Sequence, residues 1–152
     1  MPYKRFLKIY KLVRHYLTVF TEAESRYIMA IYDSYNRGVC EFGPKYIANI
    51  MNVKRPTAYE MLNRLKNKGI LAKCGKKYKF TEEGLSVARK IIRTHRIIET
   101  MLYRAGVELE RACSVASRIQ MGVDEDVVDT LCHYLGDPKR CPHGRPIPEV
   151  DK

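Results

Sequence analysis

Residues 44–81 read PKYIANIMNVKRPTAYEMLNRLKNKGILAKCGKKYKFT. Pro44 suits the first position of a helix, where its missing N–H would have no partner anyway, and Tyr46, Ile47, Ile50 and Met51 follow at helical spacing. Asn52 to Arg55 break that period. Pro56 opens a second helix, in which Ala58, Met61, Leu62 and Leu65 share one face until Gly69 ends it. Ile70 to Cys74 and Tyr78 to Phe80 then read as two strands joined across Gly75, Lys76 and Lys77, a small hairpin with a basic tip. Two short helices across a tight turn, then a hairpin, is the winged helix-turn-helix order. The fold class expected is mainly α with a small β wing.

On the amino-terminal side, a helix fits Glu22 to Arg37, with Thr21 as N-cap, Glu24 at the capping-box position and Gly38 as the stop. Before it, Tyr3, Phe6, Tyr10, Val13, Leu17 and Phe20 form one apolar stripe on a basic amphipathic helix. On the carboxyl side, Thr81 caps a helix running to about Arg104, followed by helices over 108–120 and 125–135, the latter capped by Asp124. The proline-rich tail CPHGRPIP (141–148) is expected to lie extended on the surface. The organisation expected is therefore a basic helix over 1–20, the winged helix-turn-helix over 21–81, a helical dimerisation domain over 82–136 and a tail over 137–152.

The net charge of +11 is concentrated rather than spread. Residues 42–80 hold ten basic side chains against Glu60 alone, and residues 1–20 hold five with no acid. Such concentration is the footprint of a polyanion partner, because cations near phosphates release condensed counterions. Double-stranded DNA is the partner expected. Lys54, Arg55, Pro56, Thr57, Tyr59, Glu60, Asn63 and Arg64 would present donors, an acceptor and methyl groups to base edges, while Lys76 and Lys77 at the wing would sit over backbone phosphates. A merely solvated helix face is the competing reading. An architectural protein that coats DNA without reading it would use the same basic surface.

No run approaches the roughly 20 apolar residues of a membrane span, so a cytoplasmic location is expected. The five cysteines show no CxxC spacing, and reduced thiols are expected of them. No nucleophile elbow, phosphate loop or paired-carboxylate pattern occurs, and the four histidines lack HExxH spacing, so an enzyme is not expected.

The run YIMAIY (27–32), the stretch IANIMNVKRPTAYEMLNRLKNKGIL (47–71), FTEEG (80–84), RTHRIIE (93–99) and CPHGRPIP, in that order, resemble the diphtheria toxin repressor and manganese transport regulator family. The resemblance implies a homodimer whose two recognition helices dock on a palindromic operator. It also implies a metal site, but the positions matching the family's main ligands hold Arg26, Met29, Ser117, Gln120 and Met121, poor donors for a divalent ion. His95 and Glu99 lie four apart on one helix face, and the resemblance adds Cys113 to them as a reduced site for zinc, manganese or iron. The other reading of that trio is a satisfied core histidine and a buried free thiol, with no cofactor at all.

Overall fold

The computed structural model describes residues 20–150. Six helices and one hairpin follow in chain order: α1 (Glu22–Asn36), α2 (Pro44–Met51), α3 (Arg55–Asn67), β1 (Leu71–Cys74), β2 (Lys77–Phe80), α4 (Glu82–Arg104), α5 (Leu109–Ile119) and α6 (Glu125–Tyr134), with a 3₁₀ turn at Gln120–Gly122. They form two compact units, Glu24–Ile91 with Val150, and Ile92–Glu149 with residues 20–23. The expected amino-terminal helix over 3–20 falls outside the described residues, apart from Phe20.

In the first unit, α2 ends because Asn52 adopts the left-handed conformation (φ 51°), one of the few non-glycine residues that tolerate it. The chain thus turns at once into α3, which starts at Arg55. Ile28, Ile31, Ile47, Ala58, Leu62 and Leu65 are fully buried, and each large aliphatic side chain among them contributes about 1.5–3 kcal/mol. Glu24 does more than its sequence position suggests: it is buried, and its carboxylate accepts a 2.8 Å hydrogen bond from Lys68 Nζ, tying α1 to the end of α3.

The wing strands pair antiparallel, Leu71 with Phe80 and Cys74 with Lys77, which leaves a two-residue turn of Gly75 and Lys76. Gly75 supplies the positive φ (59°) that such a turn requires. Lys77 therefore belongs to β2 rather than to the turn. Phe42 adds a short third rung, exchanging backbone hydrogen bonds of 3.0 and 2.8 Å with Tyr78. Where the wing passes into α4, Thr81 Oγ1 donates to the Gly69 carbonyl at 2.6 Å and accepts from Gly84 N–H at 2.9 Å. The Thr81 cap is present as the sequence suggests.

The second unit packs Ile97, Val128, Cys132, Leu135, Cys141 and Ile147 into one cluster. Glu108 caps α5 through backbone N–H groups of Glu110 and Arg111, at 3.0 Å each, and Asp124 stands before α6 without a side-chain capping bond. The tail departs from its expected place on the surface. Cys141 and Ile147 are buried, Cys141 N–H bonds the Arg145 carbonyl at 2.9 Å to close a turn, and the buried guanidinium of Arg96 donates to the Pro146 carbonyl. Prolines removed helix and strand as options, but not burial. No described helix is long and apolar enough to cross a membrane.

Candidate nucleic-acid interface and metal centre

Helix α3 buries Ala58, Leu62 and Leu65, which share one face. Geometry then sends Arg55, Pro56, Thr57, Tyr59, Glu60 and Arg64 outward, and all of them are exposed, as is Lys54 before the first turn. No acidic residue occupies that turn, so its N–H groups and dipole favour a phosphate nearby. Lys76 and Lys77 are exposed at the wing, and the 3.9 Å approach of Lys77 to Glu41, both side chains in solvent, restrains it little. Asn63 differs from the rest. It is half-buried, and its amide oxygen accepts a 2.8 Å hydrogen bond from the Tyr78 hydroxyl.

The second unit brings His95, Glu99 and Cys113 together: one ligand atom from each lies within 4.8 Å of the others. His95 and Glu99 come from adjacent turns of α4, and Cys113 comes from α5. His95 Nδ1 lies 2.8 Å from Gln120 Oε1, an oxygen that can only accept, so the ring carries its proton on Nδ1. Nε2 is thus left with a lone pair, and it lies 3.5 Å from Cys113 Sγ. Burial, opposed by the hydrogen bond that His95 donates to Gln120, holds the His95 pKa below its usual value. Burial also raises the Cys113 thiol, with the Glu99 carboxylate adding to the effect.

A second donor group shares the same carboxylate: Glu99, Cys141 and His143, again within 4.8 Å of one another. His143 Nδ1 is hydrogen-bonded to Glu99 Oε1, and its Nε2 lies 3.4 Å from Glu110 Oε1. Burial raises the Cys141 thiol too. Spacing along the chain gave no hint of this group, since Glu99 and Cys141 are far apart in sequence. The available signal was the Cys-Pro-His order in a tail that has to turn.

Nitrogen, carboxylate and thiolate donors suit zinc or another borderline-soft divalent ion, so the residues present fit a metal. The positions matching the family's main ligands do not. Arg26 is exposed, and the Gln120 amide is buried and engaged with His95.

A family model described as the iron-dependent repressor N-terminal DNA-binding domain matches residues 19–79, and one described as the metal-binding and dimerisation domain of the same repressors matches residues 81–149. An uncharacterised HTH-type transcriptional regulator of Aeropyrum pernix is 31% identical over 107 residues, covering 70% of this chain and 59% of its own. The iron-dependent repressor IdeR of Mycobacterium tuberculosis is 31% identical over 124 residues, covering 80% of this chain and 54% of its own. The chain thus spans little more than half the length of these relatives. The solved structure of the manganese regulator SloR superposes with a TM-score of 0.73 at 28% identity, over 85% of this chain and 60% of that one. With both family domains matched in order, the chain belongs to the iron-dependent, diphtheria-toxin-repressor family of transcriptional regulators.

Proposed function

We propose that the chain is a cytoplasmic, sequence-specific transcriptional repressor that binds a palindromic operator as a homodimer and takes a divalent cation as its signal. The observation that carries this reading is the outward row of α3, with Arg55, Thr57, Tyr59, Glu60 and Arg64 exposed beside a basic wing. Arg55 and Thr57, in the first turn, are the base readers in this scheme, and Lys76 and Lys77 hold the phosphates. The match to a dimerisation domain supports the two-fold symmetry that a palindrome demands.

The cation would be held by His95, Glu99 and Cys113, with Cys141 and His143 completing the set around the shared carboxylate. Zinc fits these donors best, with manganese and iron as the competing ions. Once bound, it would cross-link α4, α5 and the carboxy-terminal turn by coordination, and so order the second unit. The chain's own contribution is preorganisation: Gln120 fixes the His95 tautomer, and the core cluster holds Cys141 in place.

The test is selection of bound sites from randomised duplex with the chelator-treated protein, with and without added zinc. One palindromic site, retained at physiological salt by a factor on the order of a thousand over random duplex and tightened by zinc, is expected. Equal affinity for all duplexes would refute the reading.

A further inference from the structure

We infer that Glu110 is a positioning residue for the cation: its carboxylate holds Nε2 of His143 and so turns Nδ1, the nitrogen against Glu99, to the site. The inference rests on the proposed metal reading of the second unit and deepens it, since Glu110 itself stays off the ion.

His143 is the least restrained donor of the set. His95 and Glu99 are buried on α4, and Cys141 is fixed in the apolar cluster. His143 follows Pro142 in the carboxy-terminal turn, with its side chain 26% exposed. The backbone of that turn is tied down, because Gly144 N–H bonds the Cys141 carbonyl at 2.8 Å and the Arg140 guanidinium donates to the Gly144 carbonyl at 2.7 Å. Those bonds set the main chain and leave the ring to its own torsions. An imidazole can offer either nitrogen to a metal, and the hydrogen bond made by the other nitrogen decides which.

Two carboxylates flank the ring. Nδ1 is hydrogen-bonded to Glu99 Oε1, inside the donor group formed with Cys141, while Nε2 lies 3.4 Å from Glu110 Oε1. Glu110 stands in the first turn of α5, where its backbone N–H bonds the Glu108 carboxylate at 3.0 Å and its side chain is 80% exposed. With Nδ1 turned to the site, a neutral imidazole carries its one proton on Nε2, and an ionised Glu110, which can only accept, is there to receive it. Pairing a ligating histidine with a carboxylate in this way fixes the ring and raises its basicity. His95 is served from the opposite nitrogen: Gln120 occupies Nδ1 at 2.8 Å and leaves Nε2 to the site. The two partners differ in charge. An amide suffices for the buried ring, whereas water competes for the N–H of the exposed one, and a charged acceptor holds it more firmly there.

The experiment uses the full chain, stripped with chelator. Zinc affinity is measured by competition with a chromophoric chelator, and cobalt(II) binding by its visible spectrum. Glu110→Ala should weaken zinc roughly 10–100-fold, the scale of an outer-shell partner. Without metal it should melt with the wild type, because the side chain lies in solvent. Its cobalt bands at saturation should match those of the wild type, since the ligands are the same. Glu110→Gln keeps an acceptor oxygen and should recover part of the loss. His143→Ala should weaken zinc and shift the cobalt bands, and adding Glu110→Ala to it should cost nothing more. The inference is overturned if Glu110→Ala binds zinc like the wild type, or if its loss persists beside His143→Ala. A glutamine as weak as the alanine reduces the effect to charge at a distance and overturns the hydrogen bond. Shifted cobalt bands in Glu110→Ala make Glu110 a ligand and overturn its positioning role. If His143→Ala leaves zinc affinity unchanged, the inference falls while the metal reading stands; if the wild-type chain binds no zinc, the metal reading itself falls and takes the inference with it.

Discussion

A methyl group added at Gly84 gives the sharpest test of how the wing is joined to α4. A Cβ built there would lie 2.0 Å from the Ile70 carbonyl oxygen, 2.8 Å from its carbon and 2.9 Å from Thr81 Oγ1. Two of those atoms are backbone, so relief requires the start of α4 to move away from the wing. That movement breaks the Thr81 cap and the 3.0 Å bond from Thr81 N–H to the Ile70 carbonyl. The cap and that bond are worth about 1 kcal/mol each, and residual overpacking costs about 1–3 kcal/mol. Alanine's helix preference offsets about 0.5–1 kcal/mol. Gly84→Ala should therefore destabilise the protein by about 3 kcal/mol, which for a small unit lowers the melting temperature by roughly 12–24 °C. Gly122→Ala, where an added Cβ meets nothing within 4 Å, is the control and should stay within about 0.5 kcal/mol. Thermal and urea unfolding followed by circular dichroism measures both. If the two variants melt together, the close approach at Ile70 does not constrain the fold.

Arg55→Ala and Thr57→Ala should weaken the operator more than random duplex, whereas Lys76→Ala and Lys77→Ala should weaken both equally and lower the salt slope by about one each; fluorescence anisotropy across a salt series separates the cases. Zinc added to chelator-treated protein should raise the melting temperature once it exceeds its dissociation constant, and His95→Ala should abolish the rise, while a rise unchanged in that variant would move the site elsewhere. In the metal-free protein the depressed His95 pKa means that the unfolded chain takes up the proton first, so stability is present above about 6.5 and lost as pH falls through the folded value; His95→Gln should flatten that limb of the melting curve. The thiols of Cys113, Cys132 and Cys141 are raised by burial, so the unfolded chain loses those protons first, and stability should also fall as pH climbs past about 8.5. Sedimentation equilibrium at micromolar concentration should show a dimer, and a monomer would refute the assembly.

The helices and the wing could be read from the sequence because each is punctuated locally. Pro44, Pro56, Gly69, Gly75 and Thr81 act on their own neighbours, and apolar spacing fills the rest. Helix ends shifted by a residue or two, as at Arg55, since a first turn has no sharp chemical edge. The outward face of α3 followed from the inward one. The metal trio was readable only in part: the spacing put His95 and Glu99 on one face, but Cys113 needed the family pattern. The roles of Cys141, His143 and Gln120 lie in contacts between residues distant in sequence, which no periodicity reports. Asn63 shows the same limit at the DNA face, where its place on the helix suggested a reader and only the Tyr78 contact reveals that its oxygen is occupied.

The carboxy-terminal turn constrains how this protein can diverge. Cys141 is a buried member of the apolar cluster with Ile97, Val128 and Cys132 and, in the proposed metal site, a donor beside Glu99. Replacing it alters the fold and the donor set together, so drift at that position is penalised twice. His143, one residue beyond Pro142, stands outside the cluster with its side chain a quarter exposed. Exchanging His143 therefore costs its hydrogen bond to Glu99 but leaves the apolar cluster whole, whereas exchanging Cys141 opens the cluster as well.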